Sequence, residues 1–255
     1  MDAYRRGGKM PAYQRIAADL RAQITSGELG AGAQLPTEQE LADRYDVARQ
    51  TVRNGLGILV AEGLVVSQRP LGHFVRQREH MVYRPQGETS PQPASPEMDR
   101  FCQQILAEGR TPSQTIDVAL VAATPDIAQR LAIDVGALVV VRRRIRFING
   151  EPINTNDSHY PHELVKDSEI MSPADILVGA NQKLAELGYP QDRVIDEIFF
   201  RMPTPEEAQR LDLGPGIPVA IHIATGYMKD GLPVRCTVNV LPGDRHMMVY
   251  ERSWA

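Results

Sequence analysis

The chain has 255 residues, 28 Lys+Arg against 32 Asp+Glu for a net charge of −4, and 42% hydrophobic residues. No apolar run approaches the ~20 residues that a membrane span needs, and no signal peptide is recognisable. Two cysteines, Cys102 and Cys236, lack metal-ligand spacing and exclude a disulfide scaffold, so a reducing cytoplasm is the expected location.

Charge divides unevenly along the chain. Residues 1–78 carry 11 Lys+Arg and 8 Asp+Glu, a net of +3, whereas residues 79–255 carry 17 and 24, a net of −7. A basic first part suits contact with phosphate, and an acidic remainder is repelled by it. The first ten residues, with Arg5, Arg6 and Lys9, read as a loose basic arm or as a disordered start.

The most informative stretch is Leu35–Val75. Thr37 and Glu40 form a T-x-x-E capping box, which starts a helix carrying Leu41, Ala42 and Tyr45 at helical spacing. Asp46 breaks the pattern. A second periodic run, Val52, Leu56, Leu59 and Val60, ends at Gly63. Two short helices joined by a tight turn predict a helix-turn-helix, whose second helix enters the major groove by its N-terminal residues. Those are Arg49, Gln50, Thr51 and Arg53; Arg49 and Arg53 share a face, and guanidinium binds guanine O6 and N7 in bidentate fashion. Two arginines on an arbitrary helix would be a solvated face, but the capped helix before and the hairpin after favour DNA contact. That hairpin runs from Leu64 to Arg69, turns at Pro70-Leu71-Gly72 and returns through His73, as a wing with Gly72 against the minor groove. The expected DNA contacts are therefore Thr37, Gln39, Arg49, Gln50, Thr51, Arg53, Arg69, Gly72 and His73. Gly55 and Gly57 within the second helix are each expected to lower its stability by about 1 kcal/mol relative to alanine.

Residues 79–96 hold four prolines in a polar tract, Tyr83 to Pro96, and read as an extended linker. Helical and extended signals then alternate: a helix over 96–108, a strand over 113–122, a capped helix over 124–131, and a β-branched strand over 137–147. Asn149-Gly150 is a hairpin turn that leads into a strand over 153–160. A helix near 174–187, a strand over 194–202 and a helix over 205–211 come next, and strands over 219–228, 232–241 and 247–251 close an antiparallel set. The fold class predicted is α+β, with a mixed or antiparallel sheet and helices on one side. Thr124-Pro-Asp-Ile-Ala-Gln-Arg-Leu131 recurs as Thr204-Pro-Glu-Glu-Ala-Gln-Arg-Leu211, which implies a duplicated unit and a pocket between the halves.

On the strand through Phe147, Arg142, Arg144 and Arg146 fall on one face, where like charges call for an anionic partner such as a phosphate or carboxylate. Alternatively they face solvent and pair with Asp157 or Glu197. Asn154, Asn156, Ser158 and Tyr160 offer neutral groups on the next strand's matching face. Catalytic signals are thin. Asp157-Ser158-His159 cannot form a local triad because adjacent strand residues point apart, and neither a metal site nor a cofactor is expected.

Residues 11–78 resemble the DNA-binding domain of the GntR family of winged-helix repressors. The resemblance is carried by Leu35-Pro36-Thr37-Glu38, Glu40-Leu41-Ala42, Val47 to Arg49, Thr51-Val52-Arg53, Glu62-Gly63-Leu64 and Gly72 to Val75. Ala48 stands where the family commonly has a capping serine or threonine, and the wing tip has one glycine instead of two. Residues 97–252 resemble the UTRA effector domain of the HutC-type branch, similar in fold to chorismate lyase, through Arg144-x-Arg146, Gly150-x-Pro152, Asp230-Gly-Leu-Pro233 and Pro242-Gly-Asp-Arg245. This resemblance implies that Arg144 and Arg146 line an effector pocket. Two acids common in the family are replaced here, by Asn156 and Arg235, which implies a less cationic or more anionic effector than an amino-sugar phosphate. The effector site expected is Arg142, Arg144, Arg146, Asn154, Asn156, Ser158, Tyr160 and Arg235. A homodimeric, ligand-responsive repressor of a near-palindromic operator is the function implied, dimerised through the effector domain. The alternatives are a constitutive repressor with a vestigial pocket and an enzyme using a lyase-like domain.

Overall fold

The computed structural model describes residues 10–68, 70–76, 81–85, 100–176 and 178–252. Arg69, the basic arm at residues 1–9 and most of the proline-rich linker lie outside the described residues. The chain divides into two compact units, Met1–Glu79 with Gly214–Ile217, and His80–Leu213 with Pro218–Ala255.

The first unit opens with α1 (Ala12–Ser26), which buries Ile16, Ala17 and Leu20 and stops at Gly27 in the left-handed region, φ 81. In α2 (Glu38–Tyr45) the capping box is complete: Thr37 accepts from the Glu40 amide while the Glu40 carboxylate accepts from the Thr37 amide. Asp46, at φ 51, turns the chain into α3 (Arg49–Ala61). Ala48 provides no side-chain cap. Leu35, Leu41, Val52, Leu56 and Leu59 join Ile16 and Leu20 in one core, which β1 (Val65–Gln68) and β2 (Gly72–Val75) close with Val65 and Val75. Gly55 has a positive packing role. A Cβ there would lie 2.9 Å from the Tyr13 carbonyl oxygen and 3.2 Å from Ile16 Cγ2, so glycine permits the close crossing of α1 and α3. At Gly57 a Cβ meets nothing within 4 Å. The intrinsic cost expected of both glycines is therefore set against a packing requirement at Gly55 and against none at Gly57.

The second unit begins with β3 (Met81–Tyr83) and α4 (Arg100–Ala107). Next come β4 (Pro112–Ala122), α5 (Pro125–Leu131), β5 (Leu138–Ile148), β6 (Glu151–Pro161), α6 (His162–Val165) and a 3-10 turn at Glu169–Met171. The chain continues with α7 (Ala180–Glu186), β7 (Arg193–Arg201), α8 (Pro205–Arg210), β8 (Val219–Tyr227), β9 (Pro233–Pro242) and β10 (His246–Met248). The central sheet is antiparallel throughout, in the order β4-β5-β6-β9-β8-β7. The duplicated octapeptide accounts for this order. Strand, capped helix and hairpin (β4-α5-β5-β6) recur as β7-α8-β8-β9, and the two halves meet at the β6–β9 seam. Thr124 and Thr204 cap the equivalent helices, accepting from the Ile127 and Glu207 amides.

Three expectations need correction. Helices cover both faces of the sheet: α5 packs on Val139, Ile221 and Val240, whereas α7 and the 3-10 turn pack on Val140 and Tyr160. The closing strand β10 is not part of the main sheet and pairs parallel with β3. Finally, α7 starts at Ala180 instead of near 174, because Gly179 sits at φ 83, ψ 148, and the Ala174 carbonyl is held by an arginine from the sheet.

Candidate nucleic-acid interface and effector pocket

In the first unit, the start of α3 presents Arg49, Gln50 and Arg53 to the exterior, while Thr51 is half-buried. Both arginines are oriented by the first turn of α2. Arg49 Nε donates to Gln39 Oε1, and Gln39 in turn donates to Asp43 at 2.6 Å. Arg53 Nε donates to Glu38 Oε2 at 2.7 Å. With the Arg53 side chain 57% exposed, this ion pair contributes at most about 1 kcal/mol and gives way readily to a stronger anion. Gln50 donates to Asn54 at 3.0 Å. The Thr37 hydroxyl is committed to its cap, 2.9 Å from Glu40 Oε2.

Across from α3 stands the wing. Gly72 adopts φ 113, a conformation that favours glycine, and Gln34 Nε2 donates to the Leu71 carbonyl at 2.8 Å and braces the tip. His73 Nδ1 lies 2.9 Å from Ser67 Oγ, and its Nε2 is 3.9 Å from Glu38. Wing and helix face one open cleft of about 710 Å³, lined by Thr37, Glu38, Arg53, Gly57, Gly72 and His73 among others. Hence Thr37, Arg53, Gly72 and His73 share that cleft, with Gln39, Arg49 and Gln50 along the adjoining exposed helix starts. Sequence reasoning missed Glu38 and Gln34, which hold the expected contacts in place. Glu38 was detectable as the acid in the first turn beside Gln39.

In the second unit, register converts separate strands into one polar surface. Arg144 pairs with Asn156, Asn156 with Asn239, and Asn239 with His222, each directly across a strand boundary. Their side chains follow suit. Arg144 Nη1 donates to Asn156 Oδ1 at 3.3 Å, Asn156 Nδ2 to Asn239 Oδ1 at 2.7 Å, and Asn239 Nδ2 lies 3.3 Å from His222 Nδ1. His222 Nε2 is 2.8 Å from Asp196 Oδ1, and its Nδ1 is 2.8 Å from Tyr83 Oη. In the tautomer with its hydrogen on Nε2, the ring donates to Asp196 and accepts at Nδ1 from the Tyr83 hydroxyl. A parallel row links Ser158 to Thr237 at 3.1 Å and to Arg235 Nη2 at 3.0 Å.

All eight expected effector residues belong to this region, yet their roles differ. Arg142, fully buried, donates to the carbonyls of Ile170 and Ala174 at 2.9 and 2.8 Å and also to that of Ser172. Its charge is absorbed by backbone, so it anchors the 170–174 segment and is withdrawn from the anion-binding expectation. Arg146 stacks over Phe101, 5.0 Å from the ring centre, next to a register shift at Phe147. Arg144 is buried, and among the described residues its one hydrogen bond is to Asn156. Burial, with Arg142, Arg146 and Arg235 nearby, pulls its pKa to about 10, still cationic at neutral pH. Pairing with Asp157 or Glu197 does not occur: those carboxylates hold Arg210 and Arg130. Asn154 Oδ1 and Tyr160 Oη are buried and have no hydrogen-bond partner among the described residues. Arg235 also donates to Asn181 and lies over Tyr160 at 5.9 Å. A small cavity of about 10 Å³ lies beside Arg235, Thr237 and His222, walled by Pro85, Asn181 and Gln191. Thr237, Asn239, His222, Asp196, Tyr83, Asn181 and Gln191 were not anticipated.

Comparison with known proteins fits both units. Residues 12–75 match the description "Bacterial regulatory proteins, gntR family", and residues 107–247 match the UTRA domain. The HTH-type transcriptional repressor NagR of Bacillus subtilis is 29% identical over 94% of this chain and 94% of its own. An uncharacterized HTH-type transcriptional regulator of Streptomyces coelicolor is 30% identical over 95% of this chain and 93% of its own. Among solved structures, PhnF from Mycobacterium smegmatis superposes with a TM-score of 0.57 at 20% identity, over 93% of this chain and 99% of that one. The winged helix-turn-helix, the duplicated sheet and these relationships together place the chain in the GntR family, as a DNA-binding transcriptional regulator with a C-terminal UTRA effector domain and not an enzyme.

Proposed function

We propose that the protein is a cytoplasmic, homodimeric repressor, divided as residues 11–78 for DNA, 79–96 as connector and 97–252 for effector binding and dimerisation. Two winged units hold a near-palindromic operator with half-sites about one helical turn apart. Arg49, Gln50, Thr51 and Arg53 read bases, and Arg69, Gly72 and His73 follow the minor groove. A small anionic effector in the second unit releases the operator. The observation that carries the effector reading is Arg144, a buried guanidinium that among the described residues meets no carboxylate. Repression is supported by the Bacillus subtilis relative, which is named a repressor.

To act, the effector must bind the DNA-competent and released states unequally, typically by about 1–3 kcal/mol. The test is native mass spectrometry of the full chain taken from its host, beside operator titrations. A co-purified anion that lowers operator affinity, lost in Arg144→Gln, is the expected result. On DNA, Arg49→Ala should cost about 1–3 kcal/mol on operator and far less on random duplex. Equal losses on both would contradict base reading. A second reading, a constitutive repressor with a vestigial pocket, is favoured by the cavity of about 10 Å³, room for about one water. It requires that no metabolite shifts operator affinity.

A further inference from the structure

The effector reading leaves Arg235 unexplained. Among the described residues its guanidinium meets neutral groups: Nη2 donates to Ser158 Oγ at 3.0 Å and Nη1 to Asn181 Oδ1, while the buried Nε has no hydrogen-bond partner there. The hydroxyl of the fully buried Tyr160 beneath it likewise has no partner among the described residues. Asp196, the carboxylate on the neighbouring part of this face, is engaged by His222 at 2.8 Å.

Arg144 and Arg235 are joined through two small side chains. Arg144 donates to Asn156 Oδ1 at 3.3 Å, Ser158 Oγ lies 3.4 Å from that same oxygen, and Arg235 reaches Ser158 at 3.0 Å, so the two guanidinia stand within about 10 Å. Asn156 and Ser158 lie along that path, so each guanidinium presents its charge at its own end of the row. Resting on the effector reading above, we propose that the pocket takes a small molecule with two separate anionic groups, one on Arg144 and the second on Arg235 beside Asn181. The Asn156 and Ser158 side chains serve the neutral, hydroxylated stretch between those groups. Because the space beside Arg235 admits about one water, binding moves the Asn181 end of α7 outward and exchanges the Arg235–Asn181 bond for a charge-assisted one.

Calorimetric titration of the full-length protein with 3-phosphoglycerate, glycerol 3-phosphate and glycerate tests this, since the last two each retain one of the first compound's anionic groups. The doubly charged probe should bind at least about tenfold tighter than either singly charged one, the value of one charge-assisted hydrogen bond. In Arg235→Gln the ratio between 3-phosphoglycerate and one of the singly charged probes, the one whose group rests on Arg144, should collapse to about one, and in Arg235→Lys both ratios should persist, which separates lost charge from disturbed folding. Equal affinity of the wild-type protein for 3-phosphoglycerate and glycerol 3-phosphate overturns the second subsite and leaves the effector reading standing. Both ratios unaltered by Arg235→Gln do the same. Failure of all three probes to bind or to raise the melting temperature overturns both.

Discussion

Two glycines two positions apart in the recognition helix should respond oppositely to the same substitution. Replacing either with alanine removes backbone freedom from the unfolded chain and is worth about 1 kcal/mol in a helix interior. At Gly57 nothing opposes the gain, since an added Cβ has no neighbour within 4 Å. At Gly55 the new methyl would sit 2.9 Å from the Tyr13 carbonyl oxygen and 3.2 and 3.3 Å from Ile16. The first contact is with backbone, so α1 itself must shift, and overpacking of this kind costs about 1–3 kcal/mol. Gly57→Ala should therefore stabilise the winged unit by about 1 kcal/mol, and Gly55→Ala should destabilise it by about 1 kcal/mol. Hydrogen exchange at α1 and α3 amides in the full chain measures both without requiring two-state unfolding of a two-domain protein. If Gly55→Ala protects these amides as well as Gly57→Ala does, the close α1–α3 crossing is not what demands glycine.

Arg142→Met should cost about 3 kcal/mol or more, because it strands the carbonyls of Ile170, Ser172 and Ala174 inside the second unit. Thermal unfolding reads that loss, and an unchanged midpoint would return Arg142 to the ligand-binding group. At the capping box, the Thr37 amide and then its hydroxyl hold the Glu40 carboxyl below its ordinary value of 4.5. A depressed folded-state pKa gives stability that is present above 4.5 and lost as pH falls through the lower folded value. Acid titration of α2 protection should show this dependence in the wild-type chain and lack it in Glu40→Gln.

What was legible in the sequence was whatever depends on near neighbours. Thr37 and Glu40 are three residues apart, and Asn149-Gly150 sits at its own turn, so each announces its structure locally. The duplicated octapeptide reported a long-range fact, the two-fold order of the sheet, only because it was written twice. Strand alternation placed Asn154, Asn156, Ser158 and Tyr160 on one face. It could not say which residues of β8 and β9 lie opposite, since that depends on inter-strand register, so His222, Asn239 and Thr237 went unseen. The anchoring contacts of Arg142 were hidden for a related reason. Alternation gives the side of the sheet but not the covering segment, and residues 170–174 supply carbonyls there without any recognisable motif.

Tyr83 joins the effector face to the first strand after the winged unit. The Tyr83 hydroxyl is 2.8 Å from His222 Nδ1, and Pro85, two residues on, walls the small cavity beside that imidazole. Backbone pairing fixes the same strand: the Met81 amide donates to Arg245 at 2.8 Å, and the Val249 amide to Tyr83 at 3.0 Å. Tyr83→Phe leaves Nδ1 with the longer Asn239 contact at 3.3 Å alone, and a lost buried hydrogen bond of this kind costs about 1–2 kcal/mol. Exchange of the Met81 and Val249 amides should then quicken by about tenfold, the equivalent of 1.4 kcal/mol. Under the proposed function, an effector that also displaces Pro85 on the other wall of this cavity works against the same bond, so linkage requires the mutation and the effector to act in the same direction. Under the proposed function, Tyr83→Phe binds effector more tightly and operator more weakly. Faster exchange with operator affinity unchanged would mean that the Tyr83 bond holds the strand without informing the DNA-binding unit.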